Sequence, residues 1–62
     1  MAFYIYTDVN GFWRWYLESG NNKKIANSGE GYWNKNDCLH AIGLVMETTT
    51  KTPIYNLSKS TV

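Results

Sequence analysis

The sequence predicts a small α+β domain, one antiparallel sheet with a single helix packed on one of its faces. Three observations carry that reading. Aromatic and β-branched runs alternate with Asn-, Gly- and Ser-rich turns over the first half of the chain. One stretch, from Asn34 to Glu47, repeats its apolar residues at helical spacing. A short apolar segment then follows Pro53. The element order is β-β-β-α-β, with the domain over residues 1–57 and a frayed tail over 58–62.

Phe3-Tyr4-Ile5-Tyr6 is strand material by composition. Asp8-Val9-Asn10-Gly11 follows, and Asn-Gly, two residues that tolerate positive φ, is the strongest hairpin signal in the chain. Phe12 to Glu18 forms the long second strand. Side chains alternate across a strand, so Trp13, Trp15 and Leu17 share one face while Phe12, Arg14 and Tyr16 share the other. The first set is wholly apolar and points to the core. By the same alternation Tyr4 and Tyr6 join Arg14 and Tyr16 on the open face.

Ser19-Gly20-Asn21-Asn22 is a second turn, leading into a third strand over Lys23 to Ser28. Gly29-Glu30-Gly31 ends it, its glycines read as a turn that needs unusual φ. In the helix, Asn34 is the expected N-cap and Asp37 stands where the helix dipole favours negative charge. Cys38, Ala41, Ile42, Val45 and Met46 form the apolar stripe, with Leu39 beside it and Lys35, Asn36, His40 and Glu47 outside it. Thr48-Thr49-Thr50 weakens the helix and Pro53 forbids it soon after. Ile54, Tyr55, Asn56 and Leu57 read as a fourth strand. A strand placed there must pair with some sheet edge, because an exposed apolar edge invites aggregation.

A chain of 62 residues buries only about 60% of its unfolded surface, so its core needs a supplement. Its one cysteine, Cys38, cannot close an internal disulfide, and Cys38 with His40 is too small a ligand set for zinc. Aromatic side chains, 16% of the residues, supply part of the need, and a second copy can supply the rest. No signal-peptide pattern and no long apolar run is visible, so a cytoplasmic protein without a membrane partner is expected. The net charge is +1 and the basic residues are scattered, unlike the concentrated patch of a dedicated nucleic-acid binder.

The sequence offers no catalytic, cofactor or metal site. Cys38 and His40 lie about 200° apart around a helix, so a nucleophile–base pair is not formed. The carboxylates show no acid–base spacing. Ser28-Gly29-Glu30-Gly31 lacks the lysine of a phosphate loop, and Glu30 would repel phosphate. Tyr4, Tyr6, Arg14 and Tyr16 are the candidate interaction surface. Tyrosines interleaved with an arginine can stack single-stranded bases, although half-exposed cross-strand aromatic pairs also stabilise sheets for their own sake.

Taken in order, aromatic-x-Ile5-Tyr6, Asp8-x-x-Gly11, Trp13-Arg14-Trp15-x-Leu17, Ile25-Ala26-x-Ser28, Glu30-Gly31-Tyr32 and a capped helix with Ile42-x-x-Val45 resemble the YegP-like family of small bacterial domains of unknown function. The resemblance runs from about Phe3 to Asn56. It implies a β-β-β-α-β unit that works in pairs, as tandem copies or as a homodimer, with the C-terminal strands exchanged within one continuous sheet. For this single copy it implies a homodimer in which Ile54 to Leu57 crosses to the partner, and it brings no activity, cofactor or catalytic residue. Asn21-Asn22 stands where Asn-Gly is common in that family.

Overall fold

The computed structural model describes residues 1–58. Three strands, β1 (Ala2–Thr7), β2 (Trp13–Glu18) and β3 (Lys24–Asn27), precede one helix, α1 (Lys35–Met46). The strands form an antiparallel sheet in the order β1-β2-β3, as the sequence predicts. Residues 59–62 of the expected tail lie outside the described residues, and so nothing bears on that boundary beyond Ser58.

The two connections within the sheet are built alike. In the first, the Asp8 N–H donates to the Phe12 carbonyl at 2.9 Å and the Gly11 N–H to the Asp8 carbonyl at 3.0 Å. In the second, the Ser19 N–H donates to the Lys23 carbonyl at 2.8 Å and the Asn22 N–H to the Ser19 carbonyl at 3.2 Å. Each is a four-residue turn whose last residue is left-handed, Gly11 at φ 83° and Asn22 at φ 61°. Asn10 does not share the positive φ, so the Asn-Gly signal located the hairpin but only its glycine uses the freedom it offers. Asn22 fills the position that a glycine takes in the first turn. Asparagine is among the side chains that adopt this conformation at least cost.

Opposite pairs on β1 and β2 run from Ala2 with Glu18 to Thr7 with Trp13, which sets Ile5 against Trp15 and Phe3 against Leu17. The core forms on that face around Trp15, Cys38 and Ile42, with Phe3, Ile5, Trp13, Leu17, Tyr32 and Val45 packed against it. Phe3 meets Trp15 edge to face, centroids 5.6 Å apart. The inward set read from the alternation of β2 is therefore the observed one. The Trp15 indole N–H is buried without an acceptor among the described residues.

Four local readings need correction. Gly29 and Gly31 do not take positive φ. Gly31 is instead required by close approach, since a Cβ there would lie 2.6 Å from the Phe12 Cβ. The third strand is shorter than expected, because a bulge between Leu17 and Glu18 shifts its register and Ser28 turns inward. There the Ser28 N–H donates to the Trp15 carbonyl at 2.9 Å, and its hydroxyl accepts from the Trp15 N–H at 3.3 Å. Asn34 sits at the N-cap in extended conformation, yet its side chain makes no capping bond and reaches Asp37 Oδ2 at 3.3 Å instead. Met46 lies on the flank of the helical stripe and is 65% exposed, because the helix runs past the side chains that would cover it.

The fourth strand is the main departure. Residues 53–57 form no strand among the described residues, so the single chain is β-β-β-α rather than β-β-β-α-β. Ile54, Tyr55 and Leu57 are 96%, 80% and 93% exposed. The radius of gyration, 14.2 Å, exceeds the roughly 11 Å of a compact chain this long, in keeping with a segment that stands away from the body.

Candidate interaction surfaces

Three surfaces are candidates for function: the open sheet face, the C-terminal segment and a cleft beside β1.

On the open face, the register places Tyr4 opposite Tyr16 and Tyr6 opposite Arg14. The Tyr4 and Tyr16 rings stack at 5.1 Å with their planes 22° apart, and Tyr6 tilts against Tyr16 at 6.0 Å. Lys24 Nζ stands 4.6 Å from the centre of the Tyr16 ring, a cation–π contact that the sequence did not disclose. Just before β2, Phe12 meets the exposed ring of Trp33 edge-on at 4.8 Å. The three expected tyrosines therefore form one cluster, with Tyr16 at its centre.

Arg14 is held differently from what the sequence suggests. Its Nε donates to Asp8 Oδ2 at 2.7 Å. The other carboxylate oxygen of Asp8 accepts the N–H groups of Asn10 at 2.9 Å and Phe12 at 3.0 Å. The Arg14 hydrogen bond, reinforced by these two backbone donors, holds the Asp8 carboxyl below its usual range, while desolvation opposes the shift. Arg14 thus fastens the first hairpin, and the carboxylate against its Nε offsets the positive charge that a phosphate would seek. The signal for this pair was present in the sequence, since a tight turn between Asp8 and Arg14 brings the two within reach.

The groups that could suggest chemistry are kept apart. Cys38 is fully buried, and burial pushes its thiol above the usual range, which removes the thiolate that reacts. His40 is exposed on the same helix. Among the described residues no group of three or more His, Cys, Asp or Glu side chains is placed to hold a metal ion. Burial also raises the Tyr32 hydroxyl, with Glu30 adding to the shift. No helix among the described residues is long and apolar enough to cross a membrane.

The cleft was not anticipated. About 540 Å³ in volume, it opens between β1 and the end of α1 and is lined by Met1, Phe3, Leu17, Val45, Met46 and Thr48 together with Ala2. None of these side chains is charged. Phe3, Leu17 and Val45 also pack against the core, so the cleft is a continuation of the core out to the surface.

The sequence pattern of a family described as "Domain of unknown function (DUF1508)" matches residues 8–56. Two relatives from Neisseria meningitidis, UPF0339 protein NMB1088 of serogroup B and UPF0339 protein NMA1193/NMA1859 of serogroup A, are each 46% identical over 54 residues. The aligned part covers 87% of this chain and 95% of each relative. These matches agree with the resemblance to small YegP-like bacterial domains. The family pattern takes in β2, β3 and α1 and extends through Ile54, Tyr55 and Asn56 of the exposed segment.

Proposed function

This chain is a member of the DUF1508 family of domains of unknown function, and from that premise we propose that it acts as a homodimeric, non-catalytic interaction module of the cytoplasm. Exchange of Ile54 to Leu57 between two copies completes the fold. One observation carries the reading: an apolar segment leaves the helix and lies almost wholly in solvent, while the body it leaves has a small core and open sheet edges. Burying a Leu or Ile side chain stabilises by about 1.5–3 kcal/mol, and an isolated chain forgoes that gain at both Ile54 and Leu57. A second copy recovers it in both directions at once, in a closed two-fold arrangement. Absence of catalysis in this proposal follows from the inert, buried Cys38 thiol and its separation from His40.

The test is thermal unfolding at several protein concentrations. A dimer melts at a temperature that rises with concentration, because association stabilises only the folded state. A melting temperature unchanged over about a hundredfold range of concentration would remove the proposal.

A second reading, weak binding of single-stranded nucleic acid on the open face, is favoured by the stacked Tyr4 and Tyr16 with Lys24 above them. The Asp8 carboxylate against Arg14 weighs against it, since phosphate contacts dominate such affinity. Amide resonances followed during titration with short RNA or DNA at low salt decide it. This reading expects shifts at Tyr4, Tyr6, Arg14 and Tyr16 and is lost if those resonances stay in place.

A further inference from the structure

We infer that Asn10 is a modification site, where the chain loses a side-chain amide without an enzyme, and that the Asp8–Arg14 fastening sets the rate. The inference stands apart from the homodimer proposed above.

An asparagine amide is open to attack by the backbone nitrogen of the next residue, and a side chain on that residue hinders the approach. Asn10 alone among the asparagines is followed by glycine. Nothing lies within 4 Å of the position that a Cβ on Gly11 would take. Asn10 is exposed and Val9 before it wholly so, which places the pair at an open loop tip. The other turn and strand asparagines lack this combination. Asn22 is left-handed like Gly11, but Lys23 follows it with a long side chain. Asn27 precedes the buried Ser28, whose N–H is already given to the Trp15 carbonyl at 2.9 Å.

The chemistry needs only water. Hydroxide takes the Gly11 amide proton, and that nitrogen forms a bond to Asn10 Cγ. The bond from Cγ to the side-chain nitrogen breaks, and the leaving nitrogen takes a proton from water and departs as ammonia. A five-membered imide now joins residues 10 and 11. Water opens it at either carbonyl, giving an aspartyl residue or an isoaspartyl one whose main chain runs through the side-chain carbon. Nothing is oxidised or reduced.

The fold holds the reacting atoms back. The Gly11 N–H donates to the Asp8 carbonyl at 3.0 Å and the Asn10 N–H to Asp8 Oδ1 at 2.9 Å. Phe12 N–H binds the same carboxylate oxygen at 3.0 Å, and Arg14 Nε holds the other at 2.7 Å. The imide therefore closes only when the turn opens, and Asp8 with Arg14 governs that opening. The change is also self-reinforcing. An isoaspartyl linkage adds a main-chain carbon between Asp8 and Phe12, which spoils the bond from the Asp8 N–H to the Phe12 carbonyl, and it sets a second carboxylate near Asp8.

The experiment is peptide mass mapping of the purified wild-type protein held at mildly alkaline pH, folded and in denaturant. An aspartate-directed protease, which cuts the normal linkage and not the isoaspartyl one, separates the two products. Asn10 is expected to convert first, and more slowly folded than unfolded. Arg14→Ala and Asp8→Asn should each speed the folded reaction by about two- to fivefold, the range of an exposed ion pair, and match the wild type in denaturant. Asp8→Asn keeps an oxygen for the backbone donors, so it carries the test if Arg14→Ala does not fold. Earlier conversion of another asparagine would overturn the site, as would Asn10 intact in the folded protein over about ten unfolded-state half-times. Equal folded and unfolded rates would overturn the protection by the turn. Folded variants that convert at the wild-type rate would overturn the role of the Asp8–Arg14 pair.

Discussion

At Asp8 one carboxylate closes a turn and holds a cation. It accepts two backbone N–H groups from its own loop and the Arg14 side chain across it. The sign of its pH dependence follows from the lowered carboxyl. Above about pH 4, near the unfolded value of 3.8, the contribution is present in full, and it is lost as pH falls through the depressed folded value. Arg14, raised by the same hydrogen bond, stays charged throughout. Asp8→Asn should therefore melt lower at neutral pH and approach the wild type's melting temperature in acid. Parallel pH profiles would contradict the assignment. Gly31 gives a test independent of charge. A methyl group at residue 31 would meet Phe12 at 2.6 Å, so Gly31→Ala should cost about 1–3 kcal/mol in chemical denaturation, and no loss would show that the approach is loose. The two roles were legible only in part. Asp8 read as a turn residue, although the tight turn between it and Arg14 carried the signal of their pairing, and the Glu30-Gly31-Tyr32 element disclosed a need for glycine but not whether φ or space was the reason.

At the scale of elements, β2 and α1 were the most legible. Arg14 between two tryptophans marks the wet side of β2, and that single charge orients the sheet. Cys38 and Ile42 follow from helical periodicity for the same reason, four residues apart on one face. Periodicity fails at Met46 because it reports which way a side chain points and not how far the sheet beneath extends. It fails at Ser28 as well, whose hydroxyl pairs with Trp15 across 13 residues of sequence. Burial of the helix face has a chemical consequence. The Cys38 thiol, fully covered and raised by desolvation, should react with a thiol reagent only as fast as the helix opens. Rapid modification of the native protein at neutral pH would show that α1 does not cover the core as described.

The whole molecule is where local reading ran out. Ile54 to Leu57 is extended and apolar, and those residues say that it pairs without saying with which edge or in which copy. The single chain leaves Ile54, Tyr55 and Leu57 in solvent, and a cleft without charged side chains opens between β1 and the end of α1. A core built on Trp15, Cys38 and Ile42 is small for a free-standing domain, and partnership is the supplement that remains when no disulfide is available. The tyrosine face and the paired Arg14 lie on the sheet face opposite the core formed by Trp15, Cys38 and Ile42. The central claim, that two copies complete one fold, is tested most directly by light scattering of the purified wild-type protein at micromolar concentration. The mass expected is twice the chain's 7.2 kDa. A uniform species at 7.2 kDa would contradict it.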